Sequence, residues 1–172
     1  RHAGIAAAED VGKASFSRFP LEALEKEEAR IEDVLAVEGD EKVSHLRKEL
    51  GHLMTRKAGI FRHKEGLKDA QREIQALKER YKHVAIQDKG RVFNTELSLA
   101  LELGNLLSLA EIIVASAKAR MESRGSHYRL DYPGRNDNAW LKHTMAHFAR
   151  GKVVLNYEEV KITRFKPEER AY

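Results

Sequence analysis

Groups able to do chemistry concentrate in one stretch, MESRGSHYRLDYPGRNDNAWLKHT, residues 121–144. Glu122, Arg124, His127, Arg129, Asp131, Arg135, Asp137 and His143 crowd around Trp140 in a run broken by Gly and Pro. Carboxylates and imidazoles can move protons, and guanidinium forks match carboxylate or phosphate in a bidentate fashion. The residue types alone therefore admit a catalytic cluster, a nucleic-acid patch or a docking surface. So many charges on an irregular segment are costly to bury unpaired. Two readings of the pairing stand side by side. In one, Arg124, Arg129 or Arg135 pairs locally with Glu122, Asp131 or Asp137 and pins the loop onto neighbouring helices. In the other, the stretch is an interdomain surface beside an active site.

Other candidates carry less. His143 and His147 stand at i, i+4, the spacing of a helical zinc site. Thr144 occupies the place of the general base, and the segment reads as extended, so chance spacing is the better account. His45 and His52 are a heptad apart, too far to share a metal on one helix. The basic run from Arg56 to Lys64 is diluted by Glu65 and reads as a solvated loop. Neither GxGxxG nor GxxxxGK[ST] occurs.

The elements that must position the charged stretch are helical. Residues 1–13 are Ala-rich and suit the last turns of a helix ended by Gly12, with a short linker at 16–20. A second helix spans 21–37 with Leu24, Ile31, Val34 and Leu35 as its apolar line. Gly39-Asp40 breaks it, and Asp40 is a candidate N-cap for the third helix. Val43, Leu46, Leu50 and Leu53, then Leu67, Ala70, Ile74, Leu77 and Tyr81, recur in steps of three and four. Each set puts one apolar seam on a helix about two heptads long, the pattern of a compact antiparallel bundle. After a connector at 83–93, Asn94 or Thr95 caps a segment apolar on nearly every side, expected to be the central, fully buried helix. Gly104, Ala110, Ala115 and Ala117 would let neighbours approach it. Tyr132-Pro133-Gly134 reads as a turn. Residues 144–148 and 153–157 read as a β-hairpin, 160–165 as its extended continuation, and PEERAY as a polar tail. The fold class is thus mainly α, an antiparallel three-helix bundle followed by an extended C-terminal segment with a short β-hairpin.

Composition narrows the classes. The 31 basic and 27 acidic residues leave a net charge of only +4 among 172 residues, which favours a salt-bridged surface over a polyanion-binding patch. Nucleic acid is accordingly not expected as a partner. With no cysteine, disulfides, zinc fingers, Fe–S ligation and thiol nucleophiles are excluded within this chain. No run approaches the ~20 consecutive apolar residues that span a bilayer. The opening RHAGIAAAED has no signal-peptide layout and, lacking an initiator Met, reads equally as the middle of a longer chain, a processed terminus or an expressed fragment.

At the level of motifs, ESRGSHYRLDYPGRNDNAWLKHTM resembles the signature of the C-terminal domain of the succinate dehydrogenase/fumarate reductase flavoprotein subunit. The residues that carry the likeness are Glu122, Ser123, Arg124, Gly125, His127, Arg129, Asp131, Tyr132, Pro133, Arg135, Asp137, Trp140, Lys142, His143 and Thr144. Ser126 and Asn136 depart from it, the family having Ala or Gly at the first and Asp at the second. The loss at Asn136 puts one local salt bridge in doubt. The likeness continues through KERY, DK, FNT and ELGN in residues 76–111, and through Pro167, Arg170 and Tyr172 at the end. L-aspartate oxidase shares part of the signature but generally not its RDDxxWxKHT continuation. A standalone helical interaction module is the further alternative.

The resemblance implies a spectrin-repeat-like three-helix bundle with an extended tail. It implies residues 1–19 as the end of an FAD-binding domain and linker, 20–124 as the bundle, and 125–172 as the charged loop and tail. It implies an enzyme that interconverts succinate and fumarate through an FAD attached covalently to a His. Its partners would be the FAD-binding domain of the same subunit, an iron–sulfur subunit and, indirectly, membrane anchor subunits. The subunit would lie peripherally on the cytoplasmic face of the membrane, or on the matrix side in a mitochondrion. The family's flavin-linking and catalytic residues all lie upstream of the matched region. No catalytic, cofactor-binding or metal role therefore carries over to this chain. Glu122, Arg124, His127, Arg129, Asp131, Arg135, Asp137, Trp140 and His143 are instead candidates for interdomain docking.

Overall fold

A computed structural model describes residues 1–15, 18–164 and 168. The chain divides into two compact units, Arg1–Asp33 and Val34–Tyr172. The first holds α1 (His2–Val11) and most of α2 (Leu21–Ala36). Gly12 ends α1 as expected, although with right-handed dihedrals. An Arg30–Glu27 ion pair lies along α2, while Leu21 and Leu24 are exposed.

The second unit is built on three helices, α3 (Val43–Lys57), α4 (Lys64–Tyr81) and α5 (Thr95–Ala119), each packed against the other two. The seams read from the periodicity form the core. Val43, Leu46, Leu50 and Leu53 are buried on α3, and Leu67, Ala70, Ile74 and Leu77 on α4. From α5 come Ala100, Leu103, Leu107, Ala110, Val114 and Ala117. A small residue at 104 is needed for the close approach of α4: a Cβ there would lie 2.8 Å from the Tyr81 hydroxyl. That hydroxyl donates to the Ala100 carbonyl at 2.9 Å.

Three local readings are corrected. Lys42, not Asp40, precedes α3, and no side chain caps it. The backbone just before α3 is claimed instead by the 83–85 segment: Glu41 N donates to His83 O and Ala85 N to Glu41 O, each at 3.2 Å. Second, α5 is not buried all round. Leu99, Leu109 and Ile113 are exposed, because α3 and α4 cover one side of it. Third, α5 at 25 residues is long and apolar enough to cross a membrane by length and composition, which the count of consecutive apolar residues had concealed. Asn94 caps α5 as read, its side chain accepting from Leu97 N at 2.8 Å. It also donates to the carbonyls of Asp88 and Gly90, which ties the preceding connector to the helix start.

Beyond α5 the chain becomes irregular. A two-residue strand β1 (Phe61–Arg62) pairs in parallel with β2 (Tyr128–Arg129). A single turn, α6 (Asp137–Trp140), comes next. β3 (Lys142–Ala149) and β4 (Lys152–Glu159) form the expected hairpin, antiparallel, with Thr144 opposite Tyr157 and Phe148 opposite Val153. It extends beyond the expected limits at both strands. Arg150 and Gly151, both at positive φ, make its two-residue turn. Val160 to Arg164 carry no regular ladder, and the expectations for Phe165 and for the terminal Pro167, Arg170 and Tyr172 lie outside the described residues.

Candidate functional site

The charged stretch sits where α5 ends and α4 begins, and that position explains its composition. The last carbonyls of a helix have no intrahelical donors and carry partial negative charge. Arg129 is almost wholly buried and meets that need: Nη1 donates to the carbonyls of Ala117, Lys118 and Arg120 at 2.9, 3.2 and 3.1 Å. Its other edge is held by Asp131, with Nε to Oδ1 at 2.8 Å and Nη2 to Oδ2 at 2.7 Å. Asp131 in turn accepts from Lys64 N at 3.1 Å, at the positive N-terminal end of α4. One ion pair thus neutralises the adjacent ends of two antiparallel helices. Bonding from Arg129, outweighing partial burial, lowers the Asp131 carboxyl to about 2.

Glu122 is the second centre and is fully buried. It accepts from Arg120 Nε at 3.0 Å, Arg124 Nε at 2.9 Å, Arg124 Nη2 at 3.1 Å and Asn136 N at 2.9 Å. Burial pushes this carboxyl up, but the donors together outweigh it and hold it below the ordinary range. Arg124 continues to Asp137, and Asp137 to Arg135 at 3.0 Å. Asn136, where the family pattern has Asp, caps α6 by accepting from Ala139 N at 3.1 Å. The substitution keeps an N-cap acceptor in place.

His127 is half-buried between cations. Its Nδ1 accepts from Arg62 Nη1 at 2.8 Å and its Nε2 donates to the Arg120 carbonyl at 3.3 Å, an arrangement that needs the neutral ring. Burial lowers its pKa, partly opposed by the Arg120 carbonyl and reinforced by the charges of Arg62, Arg129 and Arg120. Trp140 is buried, with the Arg120 guanidinium 5.4 Å and the Lys142 ammonium 4.9 Å from its ring centre and Tyr157 edge-on at 5.6 Å. His143 lies apart from this network, on β3 opposite Glu158. His147 shares that strand face and sits opposite Val154. In an extended strand two residues four apart are roughly 13 Å from each other, too far for one metal ion.

Eight of the nine candidates therefore converge at one end of the bundle. Their charges pair within the chain, and among the described residues no buried side-chain polar atom lacks a partner. Two participants escaped the sequence reading. Arg120 joins Glu122 to the Trp140 and Lys142 carbonyls and to Thr144 Oγ1, locking β3 to the end of α5. Arg62 holds the Ala58 and Gly59 carbonyls as well as His127. A basic residue at the last turn of an apolar helix was the available signal for Arg120; Arg62 belongs to the 56–64 run read as a solvated loop, and that reading is corrected at Arg62, whose partner His127 is remote in sequence.

A dinucleotide such as FAD needs a glycine-rich turn into a helix N-terminus for its pyrophosphate. The start of α4 is taken by Asp131, and at α5 Asn94 accepts from Leu97 N while Glu96 accepts from Gln87 N and Asp88 N. A depression of about 260 Å³ between α3 and α4 is lined by Glu49 and Glu73 as well as His52, Arg56 and Arg80. These residues do not fit the group, and no chemical step through a flavin is assigned to them.

Fold and network together define a helical bundle in which the end of α5 and the start of α4 are joined by ion pairs centred on the buried Arg129 and Glu122. The sequence profile of the family described as fumarate reductase flavoprotein C-term matches residues 47–172, and the chain belongs to that family. It is 42% identical over 145 residues to the fumarate reductase flavoprotein subunit of Haemophilus influenzae, covering 84% of this chain and 24% of that protein. It is 40% identical over 173 residues to the succinate dehydrogenase flavoprotein subunit of Rickettsia bellii, covering 99% of this chain and 29% of that one. The chain thus spans only about a quarter of the length of the curated relatives it matches. Among solved structures it is similar to a variant Escherichia coli quinol fumarate reductase, with TM-score 0.83 and 38% identity over 91% of this chain and 28% of that one. The apo form of the Mycobacterium smegmatis Sdh1 complex gives TM-score 0.82 at 27% identity, over 92% of this chain and 28% of that one.

Proposed function

We propose that the chain serves as the C-terminal helical domain of a flavoprotein subunit that oxidises succinate to fumarate, or runs the reverse reaction, through FAD. The observation that carries this reading is 40% identity to a succinate dehydrogenase subunit along 99% of the chain. In this reading the two electrons and two protons removed from succinate are handled by the part of the subunit that precedes this chain. The electrons pass to an iron–sulfur subunit and on to membrane anchor subunits, with the flavoprotein peripheral on the cytoplasmic or matrix face. Residues 1–19 belong to the end of the FAD-binding domain, 20–124 to the bundle and 125–172 to the charged loop and tail.

The role of this chain is to pack on the FAD-binding domain and help keep the substrate cleft closed to water. The stretch containing Glu122, Arg124, His127, Arg129, Asp131, Arg135, Asp137, Trp140 and His143 forms or frames that contact. The test takes the full-length subunit and measures intact mass, visible spectrum and dye reduction with succinate and with L-aspartate. Succinate-dependent reduction by a flavin-bearing subunit is expected; reduction by L-aspartate alone overturns the substrate assignment. Arg124→Ala and Asp131→Ala are expected to lower turnover and flavin content. If flavin content, melting temperature and turnover all stay unchanged in both variants, the docking role fails.

A further inference from the structure

An apolar platform lies directly over the charged network. Phe61 is 64% exposed, and Tyr128 and Leu130 are 37% and 54% exposed. These residues come from segments far apart in sequence, joined by the parallel pairing of Phe61 with Tyr128 and Arg62 with Arg129. Leu130 N extends the ladder by donating to Arg62 O at 2.7 Å. Strand alternation sends Arg62 and Arg129 inward and the two aromatic rings outward. The rings meet edge to face, centroids 5.8 Å apart.

The inward arginines are what hold this platform rigid. Arg129 is anchored by Asp131 and three carbonyls, and Arg62 by two carbonyls and His127. Buried ion pairs are costly, and apolar side chains would often hold such a loop as well or better. Ordering loop residues before binding, by contrast, removes an entropic cost from association. Rigid aromatic and aliphatic groups fixed in an exposed cluster are the composition of an interface core.

We infer that the Phe61–Tyr128–Leu130 platform is the surface covered by the flavin-binding part of the same subunit. This rests on the domain reading proposed above and specifies where its contact lies. The occupant is chosen by length and charge. The family match is to a C-terminal region, and the chain covers 24% and 29% of two relatives, so most of such a subunit lies outside it. Beneath the platform Arg129 is paired with Asp131, Arg62 is held by two carbonyls and His127, and Glu122 and Asp137 are paired with Arg120, Arg124 and Arg135. They therefore frame an apolar contact and leave little for a polyanion to bind. The platform also shares its loops with the charged stretch, so one partner surface covers both.

Hydroxyl-radical footprinting read by mass spectrometry decides the matter, comparing this chain alone with the full-length subunit. Labelling tracks exposed area, so sealing the platform into an interface core is expected to lower modification of Phe61, Tyr128 and Leu130 by about fivefold or more. If other surfaces of the chain become protected while these residues label at their free rates, the platform assignment is wrong and the domain reading stands. If nothing in the chain gains protection, both fail. Protection that appears only as the full-length protein is concentrated points to a second copy as the occupant and overturns the assignment.

Discussion

Glu122 illustrates how a fully buried carboxylate is tolerated: two guanidiniums and a backbone amide satisfy both its oxygens. Neutralising it strands Arg120 and Arg124 without their shared counter-charge. Glu122→Gln is expected to cost about 3 kcal/mol in chemical denaturation, because removing one partner of a buried pair leaves the other uncompensated. His127 gives a separate pH signature. Its folded pKa lies below the ordinary value of about 6.5, so the stability tied to its neutral form is complete above that pH and is lost as pH falls toward the folded value. The melting temperature should decline below about pH 6.5, and His127→Gln should flatten that decline. Asp131 acts in another window: its pKa of about 2 means that its contribution is full above about pH 4 and disappears between there and pH 2.

Among the elements, α5 depends on its start and its end being closed by different devices. Asn94 supplies the N-cap and also binds two carbonyls of the preceding connector, so Asn94→Ala should cost about 1–2 kcal/mol in urea unfolding, near the upper end for a cap. A cost near zero would mean that the connector closes the helix without it. At the other end, Arg129 replaces the more usual glycine cap by reaching three carbonyls at once. The hairpin is tied to that same end through Arg120, which makes the bundle terminus and β3 one mechanical unit.

For the molecule as a whole, buried and exposed apolar residues fall on different surfaces. The core seams hold the bundle, while the β1–β2 platform is exposed and adds little to folding. Phe61→Ser combined with Tyr128→Ser should therefore change the unfolding free energy of this chain by no more than about 1 kcal/mol. In the full-length subunit the same pair should speed proteolysis between the two parts if the platform is their contact. A large loss of stability in the isolated chain would instead assign the aromatic pair to the fold.

Much of this was readable from the sequence. The seams on α3 and α4, the cap at Asn94, the small residue at Gly104 and the hairpin register come from spacing and local chemistry, which depend on neighbours a few residues away. The family resemblance was likewise carried by a contiguous motif. Contacts made across sequence were not readable. The all-round apolar pattern of α5 could not say which face α3 and α4 would leave uncovered. Asp40 lost its capping place because the 83–85 segment paired with the backbone beside it. The charges of residues 121–144 announced a network but not its partners. Those were chosen when antiparallel packing set the end of α5 beside the start of α4, bringing unsatisfied carbonyls, a helix N-terminus and Arg62 within reach of one arginine-rich loop. Local periodicity determined which residues would be core; long-range proximity determined what each charge would neutralise, because ion pairing depends on distance in space and not on distance along the chain.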